Sequence, residues 1–218
     1  MKYQHVFGVM AVIATVFVGA LGVSTLAVAE EGDGDEAAEE VADADGADVT
    51  EYKVDAVHSS VVFRIKYQDV GYVFGMFREF GGDFVFDEEN PENSSFDFTI
   101  AADSVFTNQE RRDDHLRNPD FFSAEEHPEI TFESTEVTHR GGDTYEITGD
   151  LTMRGTTKEI TMLADDTGSR LGENQEFRRG FLTTFAVDRM DFGVDFDPEG
   201  LGQIVRVTLA VQGTGLVE

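Results

Sequence analysis

From Tyr52 onward, apolar and polar residues alternate with period two, the spacing of strands with one buried face. Val61, Phe63, Ile65 and Tyr67 share one face, with Val62, Arg64 and Lys66 on the other. The alternation runs on from Val73 to Phe80, with Gly71, Gly75, Gly81 and Gly82 as bend or turn points. Phe84 and Phe86 alternate with Asp83, Val85 and Asp87, and Asn90-Pro91-Glu92-Asn93 turns the chain. Phe96, Phe98 and Ile100 follow, then Ile130 and Phe132. Gly141-Gly142 marks a hairpin. Tyr145, Ile147, Gly149, Leu151 and Met153 share a face, and Ile160 and Met162 resume after a turn at Arg154 to Thr157. A polar loop is expected over Asp165 to Gln175. Phe181, Thr183, Phe185 and Val187 alternate, Asp188 to Gly193 breaks the run, and Val205, Val207, Leu209 and Val211 end it.

The pattern predicts about eight to ten short strands with one or two short helices. No long amphipathic helix is present, which argues against parallel βαβ units. An antiparallel meander of this length must pack on a second sheet or close on itself. The two outcomes are a sandwich solidly filled by phenylalanine or a barrel with room for one apolar ligand. Periodicity alone does not separate them. The inward positions it gives are Phe63, Ile65, Tyr67, Phe84, Phe96, Phe98, Phe132, Ile147, Leu151, Phe181, Phe185 and Leu209.

One stretch departs from the alternation. Thr107 to Phe122 crowds Arg111, Arg112, Asp113, Asp114, His115 and Arg117 together, breaks at Asn118-Pro119 and ends on Phe121 and Phe122. Such a run predicts a short helix or lid over something apolar. Asn108, Arg112, Asp114, His115, Arg117, Phe121 and Phe122 are expected to form a cap over the barrel mouth, polar above and aromatic below. His115 beside Asp113 and Asp114 also has the makings of a general base, but sequence neighbours point apart on a helix and no nucleophile accompanies them.

Composition changes the picture at the ends and on the surface. Met1 to His5 carries one lysine, Val6 to Val23 is apolar or small, and Ala27-Val28-Ala29 precedes Glu30. This is the layout of a signal peptide cleaved after Ala29, with an uncleaved membrane anchor as the alternative. Residues 1–29 are thus read as a signal peptide and the remainder as periplasmic or secreted. Residues 30–51 lack any Lys, Arg or aromatic side chain and read as a solvated acidic tether. The folded domain is expected over 52–218.

The formal charge of -28, from 44 acidic against 16 basic residues, repels nucleic acid and disfavours anionic membrane faces. Because the acid is spread along the chain, a high-salt habitat is preferred over a cationic partner as its explanation. There are no cysteines, so disulfides and thiolate metal sites are excluded.

The motifs of common chemistries are missing. His58, His127 and His139 stand alone, with no zinc spacing. No GxSxG elbow, P-loop or GxGxxG occurs. Asp195, Asp197, Glu199 and Gly200 copy half of a calcium loop, but its closing glutamate position holds Arg206. No catalytic residue, metal or cofactor is expected.

Several separated blocks together carry a resemblance. They are Tyr52-Lys53-Val54-Asp55 with His58-Ser59; Gly75 with Phe77; Gly82 with Phe84; Thr107-Asn108; Arg112 to Arg117; Asp120-Phe121-Phe122; His127-Pro128; Gly149-Asp150-Leu151-Thr152 with Gly155, Thr157 and Lys158; and Asp188-Arg189 with Asp191-Phe192-Gly193. In this order they resemble the YceI-like family of bacterial periplasmic polyisoprenoid-binding proteins. The acidic tether is an addition, and Met153 and Arg154 replace more usual residues. The resemblance implies an all-β, lipocalin-like, eight-stranded antiparallel barrel with a long apolar tunnel. It implies one bound isoprenoid lipid, a polyprenyl phosphate or a quinone, and no enzyme activity. Arg111, Arg112 and Arg117 are the candidates to meet an anionic headgroup. Transient contact with a membrane or membrane protein, and a homodimer, are compatible with such a carrier. Two rival expectations stand beside it: an enzyme acting on a lipid at His115, and a protein-interaction barrel with a filled core.

Overall fold

A computed structural model describes residues 51–172 and 176–216. The expected signal peptide and all but the last residue of the expected tether lie outside the described residues.

The strands are β1 (Tyr52–Val54), β2 (Ser60–Tyr67), β3 (Gly71–Phe77), β4 (Phe80–Val85), β5 (Ser95–Ala101), β6 (Val105–Phe106), β7 (Glu129–Gly141), β8 (Thr144–Met153), β9 (Thr156–Leu171), β10 (Glu176–Asp188) and β11 (Leu201–Leu216). Helix α1 (Glu110–Arg117) lies between β6 and β7, and short 3-10 turns occur at Pro91–Asn93, Ala102–Ser104 and Arg189–Phe192.

All pairings are antiparallel, and the chain closes on itself. The ring runs β1-β4-β5-β7-β8-β9-β10-β11 and returns to β1 through Lys53 opposite Thr214 and Val54 opposite Gly213. Eight strands therefore close the barrel, as the resemblance implies. Closure leaves the ring no free edge, which solves the edge problem of a long meander.

The two ends of the barrel are walled differently. Strand β11 pairs first with β1 and then, from Ala210 to Leu201, with β2. Between those partners the chain bulges at 55–59, where the Asp55 amide donates to the Gln212 carbonyl and the Gln212 amide to the Ser59 hydroxyl, each at 2.8 Å. The β2–β3 hairpin thus walls one end, and β1 with β4 walls the other. Strand β6 bridges to β3 at Met76–Phe106 and Phe77–Val105.

Glycine matters at two crossings. Gly82 sits at φ 144°, where a Cβ would collide with the Asp97 carbonyl of β5. Gly213 leaves the space that the Phe84 ring occupies.

Part of the loop expected over Asp165 to Gln175 is a strand, and residues 173–175 lie outside the described residues. Asp165 to Leu171 continues β9, and Arg170, Leu171 and Ser169 pair with β10. Its side chains are mostly exposed on both faces, so backbone pairing rather than burial holds it, and no apolar alternation announces it.

Candidate functional site

The interior divides into two halves. In one, around β1, β4 and the facing parts of β8 to β10, aromatic rings fill the barrel. Tyr52 stacks on Phe84 at 4.8 Å between ring centres, and Phe84 on Phe96 at 5.5 Å. Phe181 presents its edge to Phe84, Phe86 and Phe96 at 5.6, 4.9 and 5.3 Å. Offset and edge-on rings at these spacings are the favourable arrangements for aromatic quadrupoles. What remains open is a void of about 20 Å³, room for roughly one water, with an apolar lining. Beside the rings, buried Arg179 lies 4.2 Å above Phe86 and pairs with Asp166 and Glu88.

The other half is hollow. A cavity of about 550 Å³ lies among β2, β3, β5, β7, β8, β10 and β11, with α1 and the segment after it. Its wall is apolar: Val61, Phe63, Ile65 and Tyr67 from β2, Val73 and Phe77 from β3, Phe185 and Val187 from β10, and Leu201, Val205 and Val207 from β11. Leu116, Phe121 and Phe122 close it from the helical segment. Polar groups are few among its lining: Thr107, Arg112, His115, Arg189 and Asp197. An apolar cleft with a handful of convergent polar groups is the usual form of a small-molecule site.

The predicted inward residues separate between the halves. Phe63, Ile65, Tyr67, Leu151 and Phe185 line the large cavity. Phe96, Phe98, Phe132, Ile147, Phe181 and Leu209 surround the small void, and Phe84 is packed within the aromatic cluster.

The Thr107–Phe122 segment is built around a residue absent from the expected cap. Asp113 is buried and accepts from the Thr107 amide at 2.8 Å and the Thr107 hydroxyl at 2.5 Å. The Thr107 hydroxyl in turn accepts from Arg112 Nε at 2.7 Å, and Arg112 Nη2 donates to the Thr107 carbonyl at 2.8 Å. Gln109 starts the helix, its side-chain oxygen accepting from the Arg112 amide at 2.6 Å. Asn108 takes φ 61°, a left-handed conformation that asparagine tolerates, and is exposed.

The remaining cap residues do different things. Arg117 turns from the cavity and donates to the Asp103 carbonyl at 2.7 Å and to Asp114 at 2.9 Å, tying α1 to the chain ahead of β6. Arg111 is exposed and outside the lining. His115 lines the cavity and bonds Asp120 at 2.9 Å, rather than either acidic neighbour on its own helix. Its ring meets the rings of Phe121 and Phe196 at 5.0 and 4.9 Å. Phe121 is buried, and Phe122 packs its edge on Phe77 at 5.5 Å. Arg154 fastens the segment to the opposite rim, donating to the carbonyls of Phe121 at 2.7 Å and Gly193 at 2.9 Å.

Sequence reasoning overlooked Arg189 as a cavity residue. It is 3% exposed and borders the cavity, held by the carbonyls of Gly202 at 2.9 Å, Val194 at 2.5 Å and Leu201 at 3.2 Å. Burial pushes its guanidinium below the ordinary arginine value, while Asp188, Asp197 and Asp195 pull it back up. A guanidinium so held remains a cation. The signal available was positional: Asp188-Arg189 directly follows the inward Phe185 and Val187. Among the described residues no cluster of three or more His, Cys, Asp or Glu suited to a metal occurs.

Comparison with known proteins agrees with this architecture. Residues 52–213 match the family model described as YceI-like domain. A UPF0312 protein of Pectobacterium atrosepticum is 38% identical over 175 residues, covering 79% of this chain and 91% of that protein. The crystal structure of Burkholderia cenocepacia BcnA aligns with TM-score 0.68 at 23% identity, covering 73% of this chain and 98% of that one. A polyisoprenoid binding domain from Saccharophagus degradans, implicated in plant cell wall breakdown, aligns with TM-score 0.60 at 13% identity, covering 77% and 99%. On the extent of the domain match and the identity to its relatives, the chain belongs to the YceI-like family.

Proposed function

We propose that this protein is an exported, non-catalytic lipid carrier. It sequesters the tail of one isoprenoid lipid, a polyprenyl phosphate or an isoprenoid quinone, in the hollow half of its barrel. The observation that carries this reading is the 550 Å³ apolar cavity ending in a small set of polar groups. The polyisoprenoid binding domain with the same fold supports the ligand class.

The physics is simple. Each buried methylene contributes about 0.8 kcal/mol, so an isoprenoid tail needs few polar contacts to be retained. An apolar cavity of about 150 Å³ takes one benzene. On that scale the hollow half holds on the order of twenty carbons, about four isoprene units. A longer tail leaves its remainder at the mouth, because the stacked rings of Phe84, Phe96 and Phe181 form the floor. In the cavity lining, Arg112 supplies charge for a phosphate or a donor for a quinone carbonyl, and buried Arg189 adds positive potential behind it. The barrel is not a filled interaction module on this reading, since half of it is open.

Extraction of protein purified from its native host, followed by mass spectrometry, is expected to release a prenyl lipid. Protein that is always empty and takes up no offered quinone refutes the carrier. One observation favours a second reading: His115, paired with Asp120, faces the cavity in the manner of a general base. If the protein is a lipid-modifying enzyme, His115→Ala abolishes turnover and spares binding. The carrier loses affinity in that variant and has no turnover to lose.

A further inference from the structure

The outer face of the hollow half differs in charge from the rest of the chain. Strands β2 and β3 form a hairpin whose inner side chains Ile65, Tyr67 and Val73 line the cavity. Its outward residues are Arg64 and Lys66 on β2 and Tyr72, Phe74 and Met76 on β3. Strand β11 places Arg206 directly beside Arg64, which lies opposite Phe74. Arg78, just past β3, stacks 3.6 Å over Phe106.

In a chain of net charge -28, the outward positions of β2, β3 and β11 contain no acid. Acids border the face rather than lie on it, and exposed Asp195, Asp197 and Glu199 precede Gly200, whose carbonyl accepts from the Gln68 amide of the hairpin turn at 2.8 Å. Asp69 in the hairpin turn pairs with Lys66 at 2.9 Å, and Asp188 at the end of β10 accepts from the Met190 amide at 2.9 Å. The same face exposes large apolar groups: Val70 at the tip is 91% exposed, Phe74 59% and Tyr72 56%. Arg64 lies 5.2 Å from the Tyr72 ring, which keeps cation and aromatic at one level.

We propose that this hairpin face docks on an anionic phospholipid surface and presents the cavity to it. Cations interleaved with tyrosine and phenylalanine suit the headgroup layer, where charge meets phosphate and rings meet the acyl boundary. The total charge disfavours anionic membranes, but the face that would meet one carries the opposite sign. Insertion is shallow. Residues Gly71–Gly75 have β2 on one side and no strand on the other among the described residues, and such a backbone edge needs water or headgroups as partners. Docking requires no particular occupant of the cavity; only its role in lipid exchange rests on the carrier reading.

The cysteine-free sequence makes the test local. In the full chain, Val70→Cys is labelled with an environment-sensitive fluorophore. Val57→Cys, also at an exposed site but in the bulge between β1 and β2, is the control. Phosphatidylglycerol vesicles free of isoprenoid are expected to blue-shift the label at position 70 and not at 57. Phosphatidylcholine vesicles are expected to leave both unchanged. Adding Arg64→Glu and Arg206→Glu is expected to weaken the response at least tenfold, since each cation near such a surface is worth about fivefold. The proposal fails if position 70 does not respond, responds equally to neutral vesicles, or responds no more than 57. It also fails if the shift appears without vesicles and grows with protein concentration, which would make the face a contact between copies. Because no isoprenoid is present, any of these failures leaves the carrier reading to its own test.

Discussion

The filled and hollow halves of the barrel share strands β5, β7, β8, β10 and β11 and the same alternation, yet one is solid and the other open. The solid half places planar rings opposite one another. Tyr52, Phe84, Phe96 and Phe181 meet near the axis, and Gly213 makes room for Phe84. The open half also carries rings, among them Phe63, Phe77, Phe122 and Phe185, but with Val61, Ile65, Val205 and Val207 they surround a cavity instead of closing on one another. Stability is therefore concentrated in one half and capacity in the other.

The largest expected effect is on the floor. Phe181→Ala should cost about 3–5 kcal/mol in urea unfolding, as buried aromatic truncations do. Leu151→Ala, at the wall of the existing cavity, should cost markedly less. Equal losses would erase the distinction between the halves.

Overpacking inverts the comparison. Val211→Phe at the small void should destabilise by about 1–3 kcal/mol, because nothing there can yield. Val207→Phe in the cavity should leave the unfolding midpoint nearly unchanged while abolishing uptake of a fluorescent prenyl probe. If Val207→Phe keeps full uptake, the ligand does not use this cavity.

A smaller effect is expected at the cap. Thr107→Val removes a hydroxyl that donates to buried Asp113 and accepts from Arg112. About 1–2 kcal/mol should be lost, and prenyl uptake should weaken as Arg112 comes free. Unchanged stability would mean that the network does not hold the segment.

The smallest effect is one of pH. Burial raises the Tyr52 hydroxyl above its ordinary value, with Arg179 pulling the other way. Burial raises Tyr145 too, with Glu88 and Asp166 adding to it. A group raised by folding contributes fully below the unfolded value, near 10 for tyrosine, and loses that contribution as pH climbs through the folded value. The filled half should therefore weaken above about pH 10, and Tyr52→Phe should flatten that decline in midpoint against pH. An identical decline in wild type and Tyr52→Phe would exonerate Tyr52.

The strands, their inward faces and the closed barrel were legible because burial on one side leaves a period of two. The tail of β9 was not, because Asp165 to Leu171 is held by its neighbour's backbone and buries little. The polar stretch stood out from the alternation, but its keystone Asp113 was hidden among exposed charges, bonding across six residues to Thr107. Arg189 was hidden by the expectation that a cation lies outside, which three backbone carbonyls overturn. Whether opposed side chains meet or fall short across an axis is a three-dimensional quantity with no period in sequence.

The seam that closes the ring has a consequence in time. The barrel is completed where Lys53 and Val54 pair with Thr214 and Gly213, near opposite ends of the described chain. Pairing so distant in sequence is slow, since a long loop must be closed before the contact rewards it. During synthesis the barrel stays unsealed until its last strand emerges. The nascent chain is thus a string of open hairpins, in which the edges of β1, β2 and β10 that β11 covers stay exposed until it emerges.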